Sequence, residues 1–434
     1  MAASARGAGP PAREADRRSA SACPSASVDL PAEADRGCSA QAMVDRRWRA
    51  QRERRQEAVL PPGGGLVTCS AVPGAGGLGR HLQEILDAFA RRGERVDCLC
   101  GPSAAELTGA PGVSVQRGSR DAALLAGGGM AMARIGARAA AAPARVSPAW
   151  RAWRANVEFD LAAAASRRQV EQLVAFAGQA LAQLRGARRA ATSVRAVMSA
   201  TAHIASVERQ HALARSRHPI EPAWSGRLQR RSLLEYGEAQ RIYVSSDYAL
   251  QSFLEAGVPA ERMALFPLTP AARFAPTGAP SVGTFDVVYV GGLSVVKGTP
   301  VLLDAFARLP HRDLRLLLVG GPETRGMRRH LALARARDAR IVVCPGDPLK
   351  ALRQAQLYVH PSYSDGFGYA PAEALACGVP AIVSEDTGMK ELIAAGLPGL
   401  VLATGEVDAL AEAIDCAYRG ELTELRRADA ARGR

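Results

Sequence analysis

Two stretches in the second half of the chain place glycines, a lysine and two carboxylates at the ends of apolar runs. In the first, DVVYV leads into Gly291-Gly292-Leu293-Ser294-Val295-Val296-Lys297-Gly298. Glycines let a ligand approach the backbone, and a lysine five residues past Gly292 can meet a phosphate as a point charge. The spacing is neither a Walker A loop nor G-x-G-x-x-G. A surface lysine in a turn is the other reading, but only three of the 55 basic residues are lysines, Lys297, Lys350 and Lys390, so lysine is kept at few places. In the second stretch, Pro361-Ser362-Tyr363-Ser364-Asp365-Gly366-Phe367-Gly368 runs into a helical pattern that contains Glu373. Free amide N–H groups at a helix start make an anion site. Asp365 lies just before that start and Glu373 more than a turn inside. Together they would bracket a ligand with hydroxyls at one end, a diphosphate in the middle and a ribose at the other. Capping by Asp365 or Ser364, beside an incidental helical glutamate, is the alternative.

The elements that must position these residues follow from periodicity. From Thr284 onward, apolar runs alternate with helical patterns: FDVVYVGG, LRLLLVGG, RIVVCPG, LYVHPSY, PAIVSED and GLVLAT each precede a helix. Six successive βα units predict an α/β domain whose parallel sheet is covered on both faces, with its ligand at the carboxyl ends of the strands. The first half begins in the same way. LVTCSAV reads as a buried strand, Pro73 to Gly79 (with Gly76 and Gly77) as a glycine-rich turn that could meet a phosphate, Arg80 to Arg92 as a helix, and RVDCLCG as the next strand. Residues 118–190 are rich in Ala and Arg and read as long helices with an insertion around Pro143 to Trp153. SVRAVMSATAHI reads as a strand running to His203, and Arg241 to Ser245 as another followed by a helix. A histidine at a strand end can face a ligand or be a packed core residue. Glu391 reads as helix capping behind Gly388, and Cys377 as core packing. Prolines at 267, 270, 276 and 280 mark a hinge. The expected organisation is a disordered leader over 1–60, a Rossmann-like amino-terminal domain over 61–280 and a Rossmann-like carboxy-terminal domain over 281–434.

Composition narrows the classes further. A chain of 434 residues that is 48% hydrophobic can bury large cores. Eight cysteines without C-x-x-C, and no Cys/His grouping at zinc spacing, argue against a disulfide framework and a metal, and suit a reducing cytoplasm. The longest weakly charged stretch, Ala122 to Ala133, is far short of the ~20 residues of a spanning helix, and the amino terminus lacks the apolar core of a secretory signal. Net charge is +13, yet residues 281–434 are neutral and the excess sits in the middle. Arg145 to Arg231 holds 15 arginines against five acidic residues. Such a block is either a set of solvated helix faces or a surface for anionic lipid or an acidic acceptor. Aromatic content of 5%, not interleaved with the arginines, counts against nucleic acid as a partner.

The order of these motifs on these elements resembles the donor domain of group 1 retaining glycosyltransferases, glycosyltransferase family 4, whose fold is GT-B. The resemblance covers residues 284 to about 418, through Val290-Gly291-x-Leu293 with Lys297-Gly298, LLLVGG, and HPSYSDGFGYAPAEALACGVPAIVSEDTGMKELI. It is weaker before that, in GGLGRHLQEILDAFARRG, ATAHI and LLEYGEAQRIYVSSDYALQSFLEAGVP. The family's two glutamates with seven residues between them fall on Asp365 and Glu373. The resemblance implies that Asp365 binds hydroxyls of the donor sugar, Glu373 the ribose and Lys297 the diphosphate. Gly291, Gly292, Gly366, Phe367 and Gly368 would line the donor, with His203 facing the sugar. Two departures are visible: many members carry arginine where this chain has Gly292, and the first carboxylate is aspartate.

The implied activity is metal-independent, cofactor-free transfer from a nucleoside diphosphate sugar to a glycan or lipid-linked acceptor. It would take place in the cytoplasm or at the cytoplasmic membrane face. A nucleotide-sugar epimerase on the same fold and a degenerate sugar-nucleotide-binding protein are the alternatives. The first would need a base for C–H abstraction.

Overall fold

The computed structural model describes residues 52–100, 113–117, 148–165, 170–224, 226–276 and 283–422. Among these residues thirteen strands form two sheets in which every neighbouring pair is parallel. The amino-terminal sheet takes β1 (Gly65–Cys69), β2 (Val96–Cys100), β3 (Val113–Arg117), β4 (Gln172–Phe176), β5 (Val194–Met198), β6 (Arg241–Val244) and β7 (Met263–Leu265), in the order β3-β2-β1-β4-β5-β6-β7. The carboxy-terminal sheet takes β8 (Phe285–Val290), β9 (Leu314–Val319), β10 (Ile341–Val343), β11 (Leu357–His360), β12 (Ala381–Ser384) and β13 (Gly399–Leu402), in the order β10-β9-β8-β11-β12-β13. Three inner strands, QLVAF, LYVH and AIVS, are buried along their whole length, because helices cover both faces.

In both sheets the order reverses between the first and fourth strands. The crevice of a doubly wound sheet therefore opens where β1 and β4 end and where β8 and β11 end. These are the places of the glycine-rich turn after β1, the Lys297 loop after β8 and the Asp365 loop after β11.

Several sequence expectations are corrected. The leader does not extend to residue 60: residues 52–59 form a helix, α1, with Gln56 and Leu60 buried. Residues 1–51 lie outside the described residues, as does the insertion read at Pro143 as far as residue 147. The Ala/Arg-rich stretch is not helix throughout. After the helix α3 (Pro148–Ala165) it contains β4, a five-residue apolar run that sits between β1 and β5 and is too short for periodicity to separate from a helix. The helix after β1, α2, starts at Gly76 rather than Arg80 and runs to Arg91, burying Leu82, Ile85, Leu86 and Phe89. The strand expected to reach His203 stops at Met198.

The two domains touch on both sides of the cleft. On one side, the end of the helix Ile204–Arg217 reaches the carboxy-terminal domain, where Arg217 Nη1 donates to Gly405 O at 2.7 Å and Thr324 Oγ1 donates to Glu221 Oε1 at 3.2 Å. On the other, α2 faces the helix Tyr369–Ala376, and Tyr369 Oη donates to Glu84 Oε1 at 2.6 Å.

Candidate active site

The loops after β8 and β11 are locked together by backbone. Gly298 has φ +69°, and a β-carbon there would lie 1.8 Å from Pro361 O, so only glycine allows the two loops this approach. As a result Lys297 Nζ donates to Asp365 Oδ2 at 2.7 Å, and His360 Nε2 lies 3.1 Å from the same oxygen. Asp365 is also held by its main chain, since Asp365 N donates to Asp386 O and Gly388 N donates to Asp365 O. Burial by itself would raise the Asp365 carboxyl, but Lys297 and the His360 hydrogen bond outweigh it and hold the group well below the usual carboxylate range. It is a carboxylate with one oxygen engaged by two donors, leaving Oδ1 to accept from a hydroxyl.

Neither Asp365 nor Ser364 caps the helix that follows. The cap position is Gly368, left-handed at φ +87° with no side-chain cap, so the first amides of Tyr369–Ala376 are open to an anion. Ser364 is engaged elsewhere, 3.2 Å from Tyr248 Oη across the cleft. Glu373, on the same helix, is fully buried, and Arg80 of α2 forms an ion pair with it. The Arg80 guanidinium also stands 4.8 Å over the Tyr369 ring. One turn further along α2, Glu84 accepts from Tyr369, from Gln56 Nε2 at 2.7 Å and from Thr269 N at 2.8 Å. Burial pushes the Glu84 carboxyl up to about 7 in spite of these donors.

The remaining expected residues separate into two groups. Gly366 belongs to the site: a β-carbon there would come within 2.4 Å of Ala200 O, so the Asp365 loop and the 200–203 loop close on each other. Gly76 and Gly77 open α2 behind Ala75, which gives no side-chain cap, and both face open space. Gly291 and Gly292 lie beside Tyr289, whose hydroxyl donates to Gly292 O at 2.9 Å. Phe367 is core, 3% exposed and edge-on to Tyr369.

His203 caps the helix Ile204–Arg217 through Nδ1, accepting from Ala205 N, and its ring packs on Tyr236 and Phe253. Burial lowers its pKa, with Arg209 adding to the effect. Among the described residues its side chain and N–H make their hydrogen bonds and ring contacts with Ala205, Ser252, Tyr236 and Phe253 and not with Lys297 or Asp365. Glu391 does cap a helix, but the facing one: its Oε1 accepts from Tyr248 N of the helix Asp247–Glu255. Cys377 is buried, as expected. His360, Arg80 and Tyr248 were missed by the sequence reading. His360 could have been noticed as the polar end of an otherwise apolar strand, whereas Arg80 and Tyr248 gain meaning only across the cleft. Among the described residues no group of three or more His, Cys, Asp or Glu could hold a metal ion.

Two parallel sheets of matching strand order face each other across a cleft, with a lysine loop and an open helix start on the carboxy-terminal side. This is the GT-B arrangement. Residues 277–434 match the family model described as glycosyl transferases group 1. D-inositol 3-phosphate glycosyltransferase of Mycobacterium tuberculosis (strain ATCC 25618 / H37Rv) is 33% identical over 138 residues, which are 30% of this chain and 28% of that protein. The matched stretch thus spans under a third of the relative's length. Among solved structures, sucrose-phosphate synthase (tll1590) from Thermosynechococcus elongatus aligns with TM-score 0.61 and 19% identity over 82% of this chain and 89% of that one. WaaG, a glycosyltransferase involved in lipopolysaccharide biosynthesis, gives TM-score 0.58 and 15% identity over 82% and 92%. Anabaena Alr3699/HepE in complex with UDP-glucose gives 0.54 and 17% over 83% and 91%. At these identities the structures establish the fold.

Proposed function

We propose that this protein is a retaining, metal-independent glycosyltransferase of family 4 that transfers a sugar from a nucleoside diphosphate sugar to an acceptor hydroxyl. The observation that carries the reading is the Lys297–Asp365 pair at the mouth of an open helix start that also bears buried Glu373. A diphosphate would lie between Lys297 and the helix amides. The sugar hydroxyls would meet Asp365 Oδ1, and the ribose Glu373. The bond from the anomeric carbon to the β-phosphate oxygen breaks as the acceptor oxygen attacks from the same face, and the acceptor's proton passes to the departing phosphate oxygen. The chain then contributes positioning and positive charge at the leaving group, with no metal required. The bound nucleotides of the Anabaena structures, UDP and UDP-glucose, support this donor class. The test is release of nucleoside diphosphate from a panel of nucleotide sugars with an acceptor pool, in the presence of EDTA, with product anomers read by NMR. An inverted anomer or loss of activity in EDTA would overturn the mechanism, and no transfer from any donor would overturn the function.

We further propose a cytoplasmic location with peripheral attachment to an anionic membrane through the amino-terminal domain, where a lipid-linked acceptor would be met. Support comes from the helix Gly226–Glu238, where exposed Arg227 and Arg230 accompany Leu233 and Leu234, each 43% exposed. Near a membrane surface each such arginine contributes ~1 kcal/mol, screened over ~8 Å at physiological salt. Arg231, by contrast, points inward and pairs with Asp160 and Glu235, and Arg188 pairs with Glu238, so the reversals to make are at Arg189, Arg227 and Arg230. Sedimentation with anionic and neutral vesicles should give salt-reversible binding to the anionic ones alone, lost on reversal. Equal binding to both vesicle types would refute it. No helix among the described residues is long and apolar enough to cross a membrane.

A further inference from the structure

The proposed transfer needs positive charge at the departing diphosphate, and the inference made here rests on that reading. The β8 loop supplies one cation, Lys297. A β-carbon at Gly292 would meet Glu323 Oε1 at 2.0 Å, so the position is filled by a carboxylate's approach and not by a cation. Lys297, the loop's cation, is already engaged with Asp365.

Arg80 stands on the other wall. Its Nε donates to Gly76 O, the first residue of α2, at 3.2 Å, and its guanidinium leans over Tyr369 to pair with Glu373. That carboxylate is 0% exposed, yet neither of its oxygens receives an aligned hydrogen bond. A ribose offers two hydroxyl donors to that carboxylate, and a diphosphate offers Arg80 a more highly charged partner in exchange. Beside it, the start of α2 has no side-chain cap and no acidic residue in its first turn, and Gly76 and Gly77 leave the space in front of it open.

We propose that Arg80 is a donor-gated catalytic residue. Without donor it neutralises Glu373. When the ribose hydroxyls take Glu373, Arg80 is released to the β-phosphate and supplies the second positive charge that Gly292 does not. Arginine stays protonated throughout, so its part is electrostatic and no proton is exchanged with it.

The experiment compares wild type with Arg80→Ala, Arg80→Met and Arg80→Lys. Calorimetry with UDP, GDP, ADP and dTDP and the matching nucleosides precedes turnover measured with the donor of whichever nucleotide binds. In Arg80→Ala the nucleoside should bind as well as before or more tightly, because its competitor for Glu373 is gone. The nucleoside diphosphate should weaken by at least about tenfold, the scale of one charge-assisted hydrogen bond. Turnover should fall by about 100-fold, with partial recovery in Arg80→Lys. Arg80→Met keeps the aliphatic stem over Tyr369 and serves if the alanine variant does not fold. Equal weakening of nucleoside and diphosphate would assign Arg80 a merely structural role, and unchanged diphosphate binding with unchanged turnover would also overturn the proposal. Wild type binding none of these nucleotides would instead overturn the glycosyltransferase reading, and this inference with it.

Discussion

Replacing Lys297 by alanine should produce two separable losses. The first is energetic. Lys297 and Asp365 are 32% and 20% exposed, between a surface pair, at about 0–1 kcal/mol, and a buried one, whose disruption costs about 3–5 kcal/mol. The substitution strands a carboxylate whose remaining side-chain partner among the described residues is His360, so unfolding free energy should drop by about 1–3 kcal/mol. The second loss is chemical. Removing a charge donor from the leaving group lowers turnover by about 100- to 1,000-fold. The double variant Lys297→Ala/Asp365→Asn tells them apart. It removes the stranded charge, so urea denaturation should return most of the lost stability, while turnover stays at the single-variant level or below. Turnover of Lys297→Ala within tenfold of wild type would refute the leaving-group role. A double variant no more stable than Lys297→Ala would refute the ion-pair account.

Other expectations follow from the same geometry. Glu373→Ala should weaken nucleoside diphosphate and intact donor alike, whereas Asp365→Ala should weaken the donor alone; equal effects on free nucleotide would contradict the division between ribose and sugar. Glu84, raised by burial to about 7, favours the protonated form in the fold. Its contribution to stability is present below its unfolded value near 4.5 and is lost as pH rises through about 7. Melting temperature against pH should therefore fall across that window in wild type relative to Glu84→Gln, and parallel curves would sink the assignment. His203→Asn keeps the cap that His203→Ala loses at about 1 kcal/mol. If the side chain also faces the sugar, both variants should lose turnover by at least about tenfold, and full activity in His203→Asn would leave capping as its whole role.

Much of the carboxy-terminal domain is legible in the linear sequence. A parallel strand covered on both faces needs a short run of apolar residues, and each run in FDVVYV, LRLLLV, LYVH and AIVS stands between glycines, prolines and helical patterns. Lys297, Asp365 and Glu373 could be picked out because strand ends of such a sheet must carry the ligand, and these residue types stand there. The amino-terminal half was less readable where Ala and Arg predominate, because a five-residue strand such as Gln172–Phe176 is defined by its neighbours β1 and β5 and not by its own period.

The pairings were decided by tertiary structure alone. That Lys297 meets Asp365, 68 residues away, depends on Gly298 lying against Pro361. That Glu391 caps the helix starting at Asp247, Tyr369 donates to Glu84 and Arg80 pairs with Glu373 depends on how the two sheets face each other. Local pattern encodes which face of an element is buried, since that is settled by the next few residues. It does not encode which charge stands opposite across a cleft, because that partner is fixed only when separate cores have packed and the chain between them has closed.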